Sequence, residues 1–181
     1  MIYCIVGHGA SGKTTIQRKL QSKIPSITTY TTRPIRHNEI NGKHYHFISN
    51  EKFEQLINED FFIEHYYIEK NQWYYGLSLK NIDYQNQDFI LVIDPNGYKQ
   101  LLEKVDNNFI KCIFINISER TRIKRMYKRN DNEKEIARRI IADRNDFEDF
   151  YLYADVILES SDSDENANTI LKFLKASVRN G

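Results

Sequence analysis

The chain has 181 residues, with 26 Lys and Arg against 25 Asp and Glu, for a formal net charge of +1. That length fits one globular domain able to bury a core, and the balanced charge excludes a global field drawing it to nucleic acid or an acidic membrane surface. No apolar run approaches the roughly 20 residues that a membrane-spanning helix needs and no charged leader precedes an apolar stretch, so the expectation is a soluble, cytoplasmic monomer or homodimer without nucleic-acid or membrane partners.

The first predicted element is an apolar, β-branched strand, Ile2 to Val6. Behind it stands Gly7-His8-Gly9-Ala10-Ser11-Gly12-Lys13-Thr14-Thr15, which fits G-x-x-x-x-G-K-[ST] without a mismatch. Glycines at those places let backbone N–H groups converge on phosphate oxygens at the positive end of the next helix, here predicted over Gly12 to Lys23. Lys13 is spaced to reach β- and γ-phosphates and the Thr14 hydroxyl to ligate Mg²⁺. ATP or GTP binding by Gly7, Gly9, Ala10, Ser11, Gly12, Lys13, Thr14 and Thr15 follows; the reaction stays open on this loop alone.

From Thr31 to about Asn86 the rhythm changes. The segment is dense in Tyr, Phe and His, broken by Gly42 and Gly76, and alternates in short runs such as His44-Tyr45-His46-Phe47. A small antiparallel sheet with a helix near Asn50 to Asn58 is predicted, inserted into the core. Within it, Arg33 and Arg36 lie in a stretch that Pro34 keeps extended. With the Tyr45 hydroxyl, two planar guanidiniums can converge on one phosphate; on pattern alone a solvated basic stretch has equal weight.

Further buried strands are predicted at Phe89 to Ile93, Ile110 to Ile117 and Ala154 to Leu158, with helices at Gly97 to Val105, Glu119 to Lys128, Glu133 to Asp149 and Asn166 to Val178. Continuous apolar strands separated by helices imply a parallel sheet covered on both faces, an α/β fold. Arg129 to Lys134 has no apolar face and reads as a mobile segment. Cys4 and Cys112 fall inside apolar runs and are expected to be buried free thiols. His8, His37, His44, His46 and His65 show no metal-ligand spacing and are expected at the surface or hydrogen-bonded.

The string TTRPIRHNEINGKHYHF, Thr31 to Phe47, matches T-T-R-x-x-R-x-x-E-x-x-G-x-x-Y-x-F at every defined position and resembles the acceptor-binding segment of guanylate kinases. FIEHYYIEKNQWYYGLS resembles that family's F-x-E-x-x-x-x-x-x-x-Y-G-T-S, LVIDPNGYKQL its L-D-I-D-x-x-G turn, and RIKRMYKRND with IARRI its lid. The resemblance covers nearly the whole chain. It implies a P-loop NTPase-type core (1–30, 87–120 and 146–181), a nucleoside-monophosphate-binding insert (31–86) and a helical lid (121–145). It also implies ATP- and Mg²⁺-dependent phosphorylation of GMP or dGMP. By similarity, Arg33, Arg36, Tyr45 and Tyr75 would hold the acceptor phosphate, with Glu39 orienting the arginines. Glu64 would read guanine N1–H and N2–H₂, Thr29 would donate to O6, and Asp94 would lie near base and ribose. Lys13 and the lid arginines Arg125, Arg129 and Arg139 would stabilise the transferring phosphoryl group, which needs positioning and charge, not a side-chain nucleophile.

Four features depart from the pattern. Val92 replaces the first aspartate of L-D-I-D, Leu77 the hydroxyl residue of Y-G-T-S, about two residues are added around Glu69 to Trp73, and the lid is about one residue short. They leave room for a related kinase acting on another nucleoside monophosphate or phosphorylated small molecule. A non-catalytic guanylate-kinase-like binding module is the other alternative, opposed by the intact Gly12-Lys13-Thr14 and the lid arginines.

Overall fold

The computed structural model describes residues 1–37 and 39–177. In chain order the elements are β1 (Ile2–Gly7), α1 (Lys13–Leu20), β2 (Tyr30–Thr31), β3 (His46–Phe47), α2 (Asn50–Asn58), β4 (Glu64–Ile68), β5 (Trp73–Leu77), β6 (Phe89–Val92), α3 (Pro95–Lys104), β7 (Ile110–Ile115), α4 (Glu119–Lys128), α5 (Glu133–Asp146), β8 (Val156–Leu158) and α6 (Ser163–Ser177).

The expected parallel sheet has strand order β6-β1-β7-β8, and every pairing in it is parallel. All six residues of β1 are buried because helices cover both faces. Its side chains alternate between two cores. Ile2, Cys4 and Val6 join Leu91, Leu101 and Phe150, whereas Tyr3 and Ile5 join Ile16, Leu20 and Ile170. Cys4 and Cys112 are buried free thiols, as expected. The loop after β1 therefore leaves the C-terminal edge of a rigid central strand, the place where open α/β sheets bind ligands.

The second sheet has order β3-β2-β5-β4. It is mixed, not purely antiparallel: β5 pairs antiparallel with β2 and β4, but β2 and β3 run parallel, Tyr30 opposite His46 and Thr31 opposite Phe47. Parallel neighbours need a crossover in place of a hairpin, and here the long excursion through Pro34 and Glu39 supplies it. Helix α2 seals one face. Its fully buried Phe53 stacks on Phe62 and Tyr74, with centroids 4.4 and 5.0 Å apart. Gly76 lies under this stack, and a Cβ there would stand 2.8 Å from Phe53 Cζ and 2.9 Å from Phe62 Cδ1. Gly76→Ala is expected to destabilise the fold by about 1–3 kcal/mol, as overpacking does, read as a lower Tm.

Several boundaries shift for local reasons. Helix α3 begins at Pro95 because Asp94 caps it, accepting from Gly97 N–H at 2.8 Å, with proline in the first turn. Helix α6 starts three residues early, where Asp162 accepts from the N–H groups of Asp164 and Glu165; the predicted end at Val178 lies outside the described residues. Helix α1 stops at Leu20, and α5 at Asp146, before Asp149 turns left-handed at φ 55°. The strand predicted to reach Ile117 ends at Ile115, and the last strand begins at Val156.

The polar run Arg129 to Lys134 is a helix junction. Asn132 caps α5 by accepting from Glu135 N–H at 2.9 Å, and Asp131 pairs with Arg129 at 2.5 Å. Capping residues are polar by necessity, so the run lacks an apolar face for that reason. The extra residues near Glu69 form the β4–β5 turn, at the end of the hairpin opposite the Glu64–Leu77 pair. No described helix is long and apolar enough to cross a membrane.

Candidate active site

Gly12 has φ 107°, a left-handed conformation that glycine adopts without steric cost. It lets the loop close onto α1 with Lys13 as the first helical residue. The Lys13 ammonium turns back to donate to Gly7 O (2.5 Å) and His8 O (3.0 Å), and desolvation pushes it down to about 8. A cavity of about 570 Å³ opens on this loop. Ala10 to Thr15 line one wall, with Arg125, Lys128 and Arg129 of the α4 region and Ser161 and Ser163 opposite. Arg125 donates to Ala10 O (3.0 Å) and Ser11 O (2.8 Å), so a lid cation is already docked on the loop. Gly7 and Gly9 shape the loop but do not line the cavity.

A second cavity of about 670 Å³ is lined by Thr29, Arg33, Arg36, Glu39, Tyr45 and Tyr75. The Arg33 side chain is only 5% exposed and meets Glu39 through two parallel contacts of 2.8 and 2.9 Å. This fork leaves one orientation for the guanidinium, and the Tyr45 and Phe47 rings flank it at 5.5 and 5.4 Å. Glu39 also accepts from Arg36 N–H at 2.8 Å, and its hydrogen bond to Arg33 holds it below the usual carboxylate range. Arg18, Lys43 and His44 complete the wall, with Arg18 Nη2 3.2 Å from His44 Nε2. Sequence reasoning missed these three. Arg18 had a signal, since it sits four residues after Thr14 and so on the same face of α1. Four cations against one carboxylate suit an anionic ligand. Thr14 lines both cavities, so the two cavities meet at this residue. Val92 lines the second cavity only.

Glu64 and Asp94 lie apart from that lining. Glu64 opens β4 opposite the fully buried Leu77 and is 6% exposed. Its carboxyl carbon packs against Gly97, at 3.3 Å from where a Cβ would stand. Burial, then the charge of Asp94, pushes the Glu64 carboxyl up to about 7, with Lys104 opposing. Its Oε2 is buried without a hydrogen-bond partner. Asp94 spends one oxygen on the α3 cap. Tyr66, two residues on and on the same face as Glu64, stacks on Tyr75 at 5.3 Å; the period-2 alternation of β4 was the signal for it. Arg139 lines neither cavity, being held by Glu135 at 2.8 Å and Asp131 at 3.5 Å. Arg138 and Arg139 pull the Glu135 carboxyl down to about 2.

His8 differs from expectation. It is half-buried and unsatisfied: its ring stacks on Phe147 at 4.2 Å, and Nδ1 is buried with no hydrogen-bond partner. Desolvation and the nearby Arg122 push it down to about 4, so it packs as a neutral ring that anchors the loop on Phe147.

The family model for guanylate kinase matches residues 1–177. The chain belongs to the guanylate kinase family. It is 34% identical over 179 residues to a guanylate kinase of Wigglesworthia glossinidia brevipalpis, covering 94% of this chain and 84% of the relative. It is 32% identical over 186 residues to one of Buchnera aphidicola subsp. Acyrthosiphon pisum, covering 97% and 87%. The crystal structure of guanylate kinase from Anaplasma phagocytophilum superimposes with a TM-score of 0.73 at 26% identity, covering 97% of this chain and 85% of that one.

For a guanylate kinase family member, the metal question turns on the donor set. Among the described residues no group of three His, Cys, Asp or Glu side chains could cage an ion. One hydroxyl at the boundary of two anion cavities, that of Thr14, fits Mg²⁺ all the same, because this ion keeps several waters and takes few protein oxygens beside phosphates.

Proposed function

We infer that this guanylate kinase family member transfers the γ-phosphoryl group of ATP directly to the phosphate of GMP or dGMP. The observation that carries the reading is Thr14, which belongs to both anion cavities and so puts a donor on the P-loop next to an acceptor on Arg33. The P-loop N–H groups and Lys13 hold the donor phosphates. Arg33, oriented by Glu39, holds the acceptor phosphate with Arg36, Tyr45 and Tyr75. Glu64 accepts from guanine N1–H and N2–H₂, Thr29 reaches O6, and Asp94 stands at the base and ribose.

The transfer needs two phosphates in line and charge balanced over the equatorial oxygens. Lys13, Arg125, Arg129 and Arg139 supply that charge, Arg139 after leaving Glu135. Thr14, with the nucleotide, would hold Mg²⁺, which would supply further neutralisation of phosphate charge. Closure of the insert (31–86) and lid (121–145) over the core (1–30, 87–120, 146–181) excludes water from the donor. Such an activity belongs to cytoplasmic purine nucleotide metabolism.

The test is a coupled ADP-release assay across GMP, dGMP, AMP, CMP, UMP and dTMP. GMP and dGMP are expected to be turned over far faster than the others. Preference for another monophosphate would favour the related-kinase reading, and turnover of none the binding module.

A further inference from the structure

A buried ion pair joins both lid helices to the P-loop, and the phosphoryl-transfer reading makes no use of it. Arg122 of α4 and Asp143 of α5 meet at 2.5 Å, with side chains 4% and 14% exposed. Both oxygens of Asp143 also accept from Gly9 N–H, at 3.0 and 3.3 Å. Arg122 Nε donates to Ile117 O, just past β7, at 3.2 Å. One carboxylate thus links α5, α4 and the phosphate loop, and one guanidinium links α4 to the core. Outside the pair, the buried part of the α4–α5 contact is apolar, built from Met126, Ile136 and Ile140 with Ile123 and Ala10 packed against them, while a second ion pair between the helices, Arg144 to Glu119 at 2.9 Å, is exposed. An apolar pair at 122 and 143 would extend that cluster, and buried ion pairs seldom stabilise more than such a replacement. Stability alone therefore does not account for the charges.

Position on the helices does. Arg125 lies one turn beyond Arg122 on α4, and Arg139 one turn before Asp143 on α5. The pair sits at the bases of both helices, and the phosphate-seeking arginines lie one turn outward along each. Arg125 already contacts Ala10 O and Ser11 O, the residues that follow Gly9. We propose that the Arg122–Asp143 pair is the pivot of the lid: it pins the bases of α4 and α5 to the Gly9 peptide, so that Arg125 and Arg139 move from fixed origins toward the transferring phosphoryl group. Both are positioning residues. This rests on the phosphoryl-transfer reading for its catalytic consequence, but the tether itself does not.

The test uses the full chain with Asp143→Asn and the double variant Arg122→Leu with Asp143→Leu, which leaves no lone buried charge. In both, kcat is expected to fall about 10–100-fold, the scale seen when supporting contacts of a reactive constellation are lost. KM for GMP, set on the other side of Thr14, stays unchanged, and the Tm of the double variant stays at the parental value. The amide ¹H–¹⁵N resonance of Gly9, read without turnover, is expected to move upfield in both variants as the charge-assisted bond is lost. Parental kcat in the folded double variant overturns the proposal, as does an unmoved Gly9 resonance; if the double variant does not fold, parental kcat in Asp143→Asn overturns it. A parent chain inactive on GMP whose Gly9 resonance still responds to Asp143→Asn refutes the phosphoryl-transfer reading and leaves the tether standing.

Discussion

Lys13→Met is expected to lower kcat/KM for ATP by at least about 10²–10³-fold, the scale for removing one preorganised donor from developing charge, with no fall in Tm. The two halves have one origin. In this structure the ammonium lies against Gly7 O and His8 O and is desolvated enough to titrate at about 8. A lysine whose folded value lies below its unfolded one binds fewer protons when folded, so stability rises with pH between about 8 and 10.5. At neutral pH the charged form is therefore a net burden on the fold. Methionine keeps the stem and drops the charge, so thermal denaturation should show a parental or higher Tm. A variant with near-parental turnover would remove Lys13 from the mechanism, whereas a collapsed Tm would mean that the loop needs the charge to fold. The same value implies that parental kcat/KM for ATP declines above pH about 8, a limb absent from the variant.

The parts of this molecule legible in its sequence are those whose meaning is local. Gly7 to Thr14 is one continuous spacing behind one apolar strand, and both are in place. Arg33, Arg36 and Glu39 lie within seven residues, so their contact needs no knowledge of the fold. What could not be read depends on chain segments far apart. Asp143 lies 134 residues from Gly9, and nothing in IARRIIADR sets it apart from other solvated charges on a helix. His8 gives no sign of its stack on Phe147, because the partner arrives from the end of α5. The parallel β2–β3 pairing was hidden for another reason: both strands are two residues long, too short for alternation to specify direction. The resemblance implies a ligand-side role for Asp94, while its capping of α3 was signalled only by Pro95 and Gly97 behind it. Leu77 and Val92, departures of equal weight in the sequence, separate in the structure. Leu77 is core, whereas Val92 lines the second cavity.

Glu64→Gln carries the other large effect, in selectivity. The Glu64 carboxyl is buried, has an oxygen without a partner, and titrates at about 7 under burial and the field of Asp94. Guanine offers two adjacent donors on one edge, which an ionised carboxylate accepts in parallel. Binding therefore selects the ionised form. The parental kcat/KM for GMP is expected to be flat above pH about 7 and to fall tenfold per unit below it, because protonation removes an acceptor. Glutamine leaves one acceptor and turns an amide N–H toward a guanine N–H. Losing one charge-assisted bond at about 1.5–3 kcal/mol, and leaving a guanine N–H unpaired against a donor at about 1–3 kcal/mol more, lowers kcat/KM for GMP by roughly 10²–10⁴-fold. AMP presents a ring acceptor at N1 where GMP has a donor, and the glutamine amide N–H can donate to it, so the GMP-to-AMP ratio narrows from both sides. The acidic limb near pH 7 also vanishes, which no purely structural role for Glu64 would produce. Stability moves the other way from activity. A carboxyl whose folded value is raised holds its proton more tightly when folded, so the fold loses stability as pH rises from 4.5 toward 7. At pH 8 the glutamine chain, free of a buried charge, is expected to melt no lower than the parent, so the lost turnover reports recognition and not unfolding. Unchanged selectivity against AMP, or an acidic limb that survives the substitution, would take the base-reading role away from Glu64.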